Sequence, residues 1–150
     1  TILLKGKRFA DNSLFFYNDA WWLFTDSGNS TLRLYFSHNL KGPYKEHRKS
    51  PIRKKDPHYA RPAGRVILYQ NTPIRFAQDA FPMYGSKVWG FKISVLTTKD
   101  YKEEPIAAPV LDASGGGWNS HGMHTVDAIQ LPDGSWRAYV DGFGSGKASV

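Results

Sequence analysis

The sequence has no cysteine, only three glutamates, and no apolar run near the roughly 18 residues that a membrane-spanning helix requires. Lacking cysteine, it can hold neither a disulfide framework nor a thiolate metal site, and it offers no thiol nucleophile. It also lacks the i, i+3, i+4, i+7 apolar spacing of a long amphipathic helix and the Gly-x-Ser-x-Gly turn of a serine hydrolase. The glycine run Gly115-Gly116-Gly117 is not followed by Gly-Lys-Ser/Thr, so it reads as a flexible connection and not as a phosphate cradle. No cofactor is expected. The chain begins without methionine at Thr1-Ile2-Leu3-Leu4, which reads as a strand, and runs out through Gly144-Ser145-Gly146, so both ends read as cut.

What is present is period-2 alternation with many aromatic and β-branched residues, broken by short turn signals. The 150 residues, 41% hydrophobic and 15% aromatic, suffice for one domain or part of one. The pattern predicts an all-β chain. Asn12 to Tyr17, Trp21 to Thr25 and Leu32 to Ser37 read as a three-strand meander, with turns at Asn18-Asp19 and at 26–30. The same order returns as Ala63 to Tyr69, Ile74 to Gln78 and Lys87 to Thr97, and begins again with Thr125 to Leu131 and Trp136 to Asp141. Tyr44-Lys45-Glu46 before Pro51 and Tyr101-Lys102-Glu103 before Pro109 read as matching connectors. Aligning Phe24 with Phe76 gives a period of 52 residues, close to the roughly 40 to 50 of blade-type repeats.

Meanders of this size cannot bury both faces alone, so they stack around an axis as propeller blades. The expectation is a partial β-propeller of about three blades, at approximately 9–52, 60–110 and an incomplete 121–150, with the remaining blades elsewhere in the parent chain.

Four short segments in order carry a family likeness: Arg61-Pro62-Ala63-Gly64, Arg75-Phe76-Ala77-Gln78-Asp79, Tyr84-Gly85 and His121-Gly122-Met123-His124-Thr125-Val126-Asp127. From about Phe9 to Gly142 the chain resembles the propeller domain at the N-terminus of plant glucosamine inositolphosphorylceramide transferases and of related bacterial proteins, some joined to formyltransferase-like modules. That domain is similar to the glycosidase-like propellers of glycoside hydrolase families 43, 32 and 68. The resemblance implies a five-bladed propeller and a role in glycan or glycolipid chemistry, either accompanying a transferase or binding sugar itself.

In a propeller the leading residues of each innermost strand converge on one mouth, where such folds bind ligands. Aligned by repeat, these positions hold Asp11, Arg61 and the cluster from His124 to Asp127, with His121 just before it. Arg75, Gln78, Asp79 and Tyr84, on the next strand and loop, are placed to reach the same rim. Arg61 and Arg75 are suited to grip a phosphate or carboxylate, and Tyr84, Trp89 or Trp118 to cover a sugar face. Each of these residues also has a plain structural use: turn-capping aspartates, inter-blade arginines and core tryptophans. Substrate contact is therefore assigned to Arg61, Arg75, Gln78, Tyr84, His121 and His124 as a set.

Hydrolysis of a glycoside normally needs two carboxyl groups, one with a raised pKa. Glu46, Glu103 and Glu104 sit on the connectors, which leaves Asp11, Asp79 and Asp127 as the candidates for paired-aspartate catalysis. Metal binding by His121, His124 and Asp127 is the weaker reading, since positions i and i+3 of a strand point to opposite faces; no metal is expected.

The net charge is +7, and nearly all of the excess lies between Lys41 and Lys55, where seven basic residues face the single acid Glu46. Such a stretch suits an acidic membrane surface. It lacks the interleaved aromatics of a single-strand binder, so no nucleic acid is expected. Three functions remain in competition: sugar or glycolipid recognition accessory to a glycosyltransferase-type protein, a glycosidase-like hydrolase, and an interaction scaffold docking through the basic loop.

Overall fold

The computed structural model describes residues 2–6, 8–28 and 30–145. Among them there is no α-helix; the one helical element is a single 3-10 turn at Gly117–Asn119. Sheet 1 is a four-stranded meander of β1 (Ala10–Tyr17), β2 (Ala20–Asp26), β3 (Leu32–Ser37) and β4 (Lys45–Glu46). Sheet 2 comprises β5 (Ile67–Tyr69), β6 (Thr72–Asp79), β7 (Lys87–Leu96) and β8 (Tyr101–Pro105) in order, with the short β9 (Leu111–Asp112) pairing the start of β7. Sheet 3 is the hairpin of β10 (Gly122–Gln130) and β11 (Trp136–Phe143). All pairings are antiparallel. The expected residues 146–150 of the third unit lie outside the described residues.

Turn chemistry sets these registers. Asn18-Asp19 and Gln70-Asn71 both have two consecutive residues at positive φ (47° and 57°, 47° and 60°), the type I′ geometry whose twist matches that of the flanking strands. They occupy the same place in sheets 1 and 2. The β10–β11 connection closes with Gly134 at φ 85° and a Leu131 N–H bond to the Ser135 carbonyl of 2.8 Å.

Three expectations change. Residues 2–5 form no strand. The strand expected from Ala63 to Tyr69 is interrupted: Pro62 bridges Ala77, and regular pairing resumes only at Ile67. The two matching connectors are themselves the fourth strands, β4 and β8. Their alternation is of charged residues on exposed sheet edges, the usual protection against edge-to-edge pairing, so hydrophobic periodicity does not reveal them.

The sheets pack face on face. Between sheets 1 and 2, Phe15, Trp22, Phe24, Leu32 and Leu34 meet Ala60, Val66, Ile93 and Leu96. Burying side chains of this size contributes about 1.5–3 kcal/mol each. Between sheets 2 and 3 the contact is smaller: Ala63, Ile74, Phe76 and Val88 against Val126 and Ala128. Phe24 and Phe76, the residues that set the sequence period, each lie on a second strand and each serve the following interface.

Gly64 makes the second interface possible. It has φ 141°, and a Cβ there would lie 1.9 Å from the Val126 carbonyl oxygen, where the Val126 N–H reaches the Ala63 carbonyl at 2.7 Å. A side chain at 64 would hold sheet 3 away.

Candidate functional site at the shared end of the sheets

Antiparallel pairing decides which residues share an end. Ala10 opposes Asp26, so Asp11, the turn at 26–31 and the Leu32–Arg53 bridge lie together at one end of sheet 1. In sheet 2 the Gln78 N–H binds the Arg61 carbonyl at 2.9 Å, and Lys87 opposes Asp79, which gathers Arg61, Gln78, Asp79 and the loop at 80–86. In sheet 3, Gly122 opposes Phe143 and Thr125 opposes Asp141.

Side chains join these three ends into one chain of contacts. Asp11, held at φ 52° beside a bulge in β1, forms an ion pair with Arg61. The Arg61 guanidinium stands over the Tyr84 ring, 5.1 Å from its centre. Tyr84 packs on His124 with ring centres 5.3 Å apart. The Nε2 of His124 meets an Asp141 oxygen at 3.2 Å, and the other Asp141 oxygen accepts the Thr125 hydroxyl proton. Gly85 allows the close approach: a Cβ there would lie 2.5 Å from the His124 Cβ.

Two buried polar atoms at this end have no hydrogen-bond partner among the described residues, Oε1 of Gln78 and Nδ1 of His124. Gln78 shares a face of β6 with Phe76, which packs on Val126, so its side chain is turned toward sheet 3. In the neutral ring with Nε2–H directed at Asp141, His124 Nδ1 is an acceptor, and the Gln78 oxygen is another. A buried acceptor left unpaired costs about 1–3 kcal/mol.

The other predicted residues go elsewhere. Arg75 does not reach the rim: at 1% exposure it is sealed between sheets 1 and 2. There it donates to both Glu103 oxygens at 2.8 Å and to the Tyr59 carbonyl at 3.0 Å, with Phe91 4.4 Å from its charge centre. Glu103 also accepts from the Tyr101 hydroxyl at 2.6 Å and from Arg53 at 3.0 and 3.1 Å. Burial opposes ionisation of Glu103, but the charge and hydrogen bonds of Arg75, the Tyr101 hydroxyl and the charge of Arg53 together hold its pKa below the ordinary value. Burial pushes the Tyr101 pKa well up, and the neighbouring Glu103 charge adds to it.

Asp79 is buried and occupied: it accepts from Trp89 Nε1 at 3.2 Å and the Phe81 N–H at 3.0 Å, and it faces His58 Nδ1 at 3.0 Å. Asp127 turns to Arg65, not to Arg61. The three candidate aspartates thus end on three different partners, two arginines and a histidine. His121 lies exposed, its ring 6.4 Å from that of Phe143. Trp118 is exposed on the 3-10 turn.

Sequence reasoning missed Asp141 and His58. Asp141 was recoverable from the register of the β10–β11 hairpin, which puts it opposite Thr125. His58 carried no signal. Two hollows, of about 380 and 410 Å³, lie where Leu3, Leu4 and Phe9 approach sheet 1. They mark a sheet face and contain none of the predicted site residues.

Two antiparallel meanders and a hairpin, stacked face on face, define a portion of a β-propeller. A solved structure titled a thermostable family-43 glycoside hydrolase superposes with a TM-score of 0.59 at 16% identity, over 88% of this chain and 41% of that one. The chain belongs to the family described as glucosamine inositolphosphorylceramide transferase 1, N-terminal, which it matches over residues 1–143. It is 35% identical over 150 residues to glucosamine inositolphosphorylceramide transferase 1 of Oryza sativa subsp. japonica, and 32% identical over 152 residues to that of Arabidopsis thaliana. These matches cover 93% and 94% of this chain but 20% of each relative, so the chain spans about a fifth of their length.

Proposed function

We propose that this chain recognises a sugar or the polar head of a glycolipid at the shared end of its sheets, as an accessory to a glycosyltransferase-type protein. The observation that carries the reading is the contact chain from Asp11 through Arg61, Tyr84 and His124 to Asp141, which crosses all three sheets beside the unpartnered acceptors of Gln78 and His124. Acceptors in that setting suit hydroxyl donors. The Arg61 fork suits an anionic group, and the Tyr84 ring suits a sugar face. The relatives' name, with its glucosamine and inositol phosphate, indicates ligands of that chemistry.

Paired-aspartate hydrolysis finds less support. Asp11, Asp79 and Asp127 are engaged by Arg61, His58 and Arg65 respectively, and Glu103 is locked between sheets. The test is calorimetric titration with glucosamine and with myo-inositol 1-phosphate, using the native chain and the Arg61→Ala and His124→Ala variants. Binding that weakens about tenfold in each variant supports the reading, as expected for losing a charge-assisted contact. Binding indifferent to both substitutions would sink it.

A further inference from the structure

The basic stretch expected to form one patch is divided by the fold. Lys41 and Lys45 follow β3 to the end of sheet 1 remote from the mouth, and Lys49 lies 3.8 Å from Asp100, at the turn after β7 on that same remote end. Arg53 turns inward to Glu103. Lys54 and Lys55 stand exposed at the mouth end: they follow the Leu32–Arg53 bridge, and the next residue, Asp56, binds the Ser30 carbonyl at 3.0 Å. Neither lysine has an ion-pair partner among the described residues.

Beside them projects an apolar tip. The loop between β6 and β7 exposes Phe81, Met83 and Tyr84 by 57%, 47% and 49%. Its base is fixed to the Lys54-Lys55 segment: the Ala80 N–H binds the Pro57 carbonyl at 2.9 Å, His58 faces Asp79, and the Phe81 ring packs on His58 at 5.3 Å. Asp79 further holds the Phe81 N–H, and its carbonyl accepts the Ser86 N–H at 2.9 Å. Large apolar side chains on a braced tip, flanked by free lysines, are the arrangement that inserts into the headgroup layer of a bilayer while cations meet acidic lipid.

We infer that the mouth end docks on an anionic lipid bilayer, with Phe81 and Met83 entering the interface and Lys54 and Lys55 contacting acidic headgroups. The site proposed above then opens toward the membrane surface, where the head of a glycolipid would be presented. Charge complementarity selects the occupant. A nucleic acid would satisfy the lysines but leave Phe81 and Met83 in water, and a neutral apolar partner would leave the lysines unused.

The test is flotation of the 150-residue chain with two sets of vesicles, phosphatidylcholine alone and phosphatidylcholine with phosphatidylserine at roughly 3:1. The native chain should float with the acidic vesicles and not with the neutral ones. Lys54→Glu with Lys55→Glu, and separately Phe81→Ser with Met83→Ser, should each weaken this at least about tenfold. Lys41→Glu with Lys45→Glu, at the remote end, should leave most of it. Neither set of vesicles carries a sugar headgroup, which separates this inference from the sugar site. Equal loss in the remote pair, indifference to Phe81 and Met83, or tighter binding to a single-stranded oligonucleotide than to acidic vesicles would overturn it.

Discussion

The two interfaces between neighbouring sheets are built from equivalent strands and have different characters. Between sheets 1 and 2 lie large aromatics and a closed polar cluster in which Arg75, Glu103, Arg53 and Tyr101 satisfy one another. Between sheets 2 and 3 lie small and branched residues around Gly64, and at its end stand acceptors without partners. The buried His47 continues the contrast, bridging the first interface with Nε2 at 2.9 Å from the Thr97 carbonyl and Nδ1 at 3.1 Å from the Lys49 N–H, whereas Nδ1 of His124 has nothing. The first interface is finished by its own residues; the second leaves acceptors that no described residue satisfies. Two arginines with equal promise in the sequence, Arg75 and Arg61, fall on opposite sides of this divide.

The largest effect should come from Glu103→Gln, which leaves the sealed Arg75 without its counter-charge. A loss of about 3–5 kcal/mol is expected for breaking a buried pair from one side, read from urea unfolding. The same carboxylate sets an acid limit. Its folded pKa lies below the unfolded value of about 4.3, so its contribution is complete above that pH and is lost as pH falls through the folded value. Native chain should lose stability on acidification through that window, and Glu103→Gln should show a flatter profile; parallel profiles would remove Glu103 from the account.

Gly64→Ala should come next. Its cost of about 3 kcal/mol, the upper part of the usual range for a backbone clash, should fall on the second interface. Hydrogen exchange should then accelerate in β10 and β11 while β2 and β3 stay protected. Uniform acceleration would mean that the two interfaces do not separate as described.

The smallest effect on stability should be that of Asp11→Asn, whose pair with Arg61 is about one-third exposed. Less than about 1 kcal/mol should be lost, as is usual for such pairs. A loss as large as that of Glu103→Gln would place Arg61 with Arg75 among the structural arginines.

The all-β strand order was legible because alternation and turn residues act over a few neighbours. Phe24 and Phe76 announced the period because each faces the next sheet. The edge strands β4 and β8 were illegible as strands since their residues are charged and pair on one side only. Arg75 was misread because its burial depends on Glu103, 28 positions away, and nothing local to β6 indicates that partner. Asp127 meets Arg65, 62 positions away, and nothing local to β10 indicates that partner either. What the sequence conveyed was the order of the strands; where each polar side chain ends depended on long-range pairing.

The measurement that bears most directly on the difference between the interfaces is histidine-selective nitrogen NMR during titration with myo-inositol 1-phosphate. The Nδ1 signal of His124 should move with ligand while that of His47 stays fixed, because only the former has an acceptor to offer. Saturable binding that leaves His124 unmoved, or that moves His47 equally, would contradict the account.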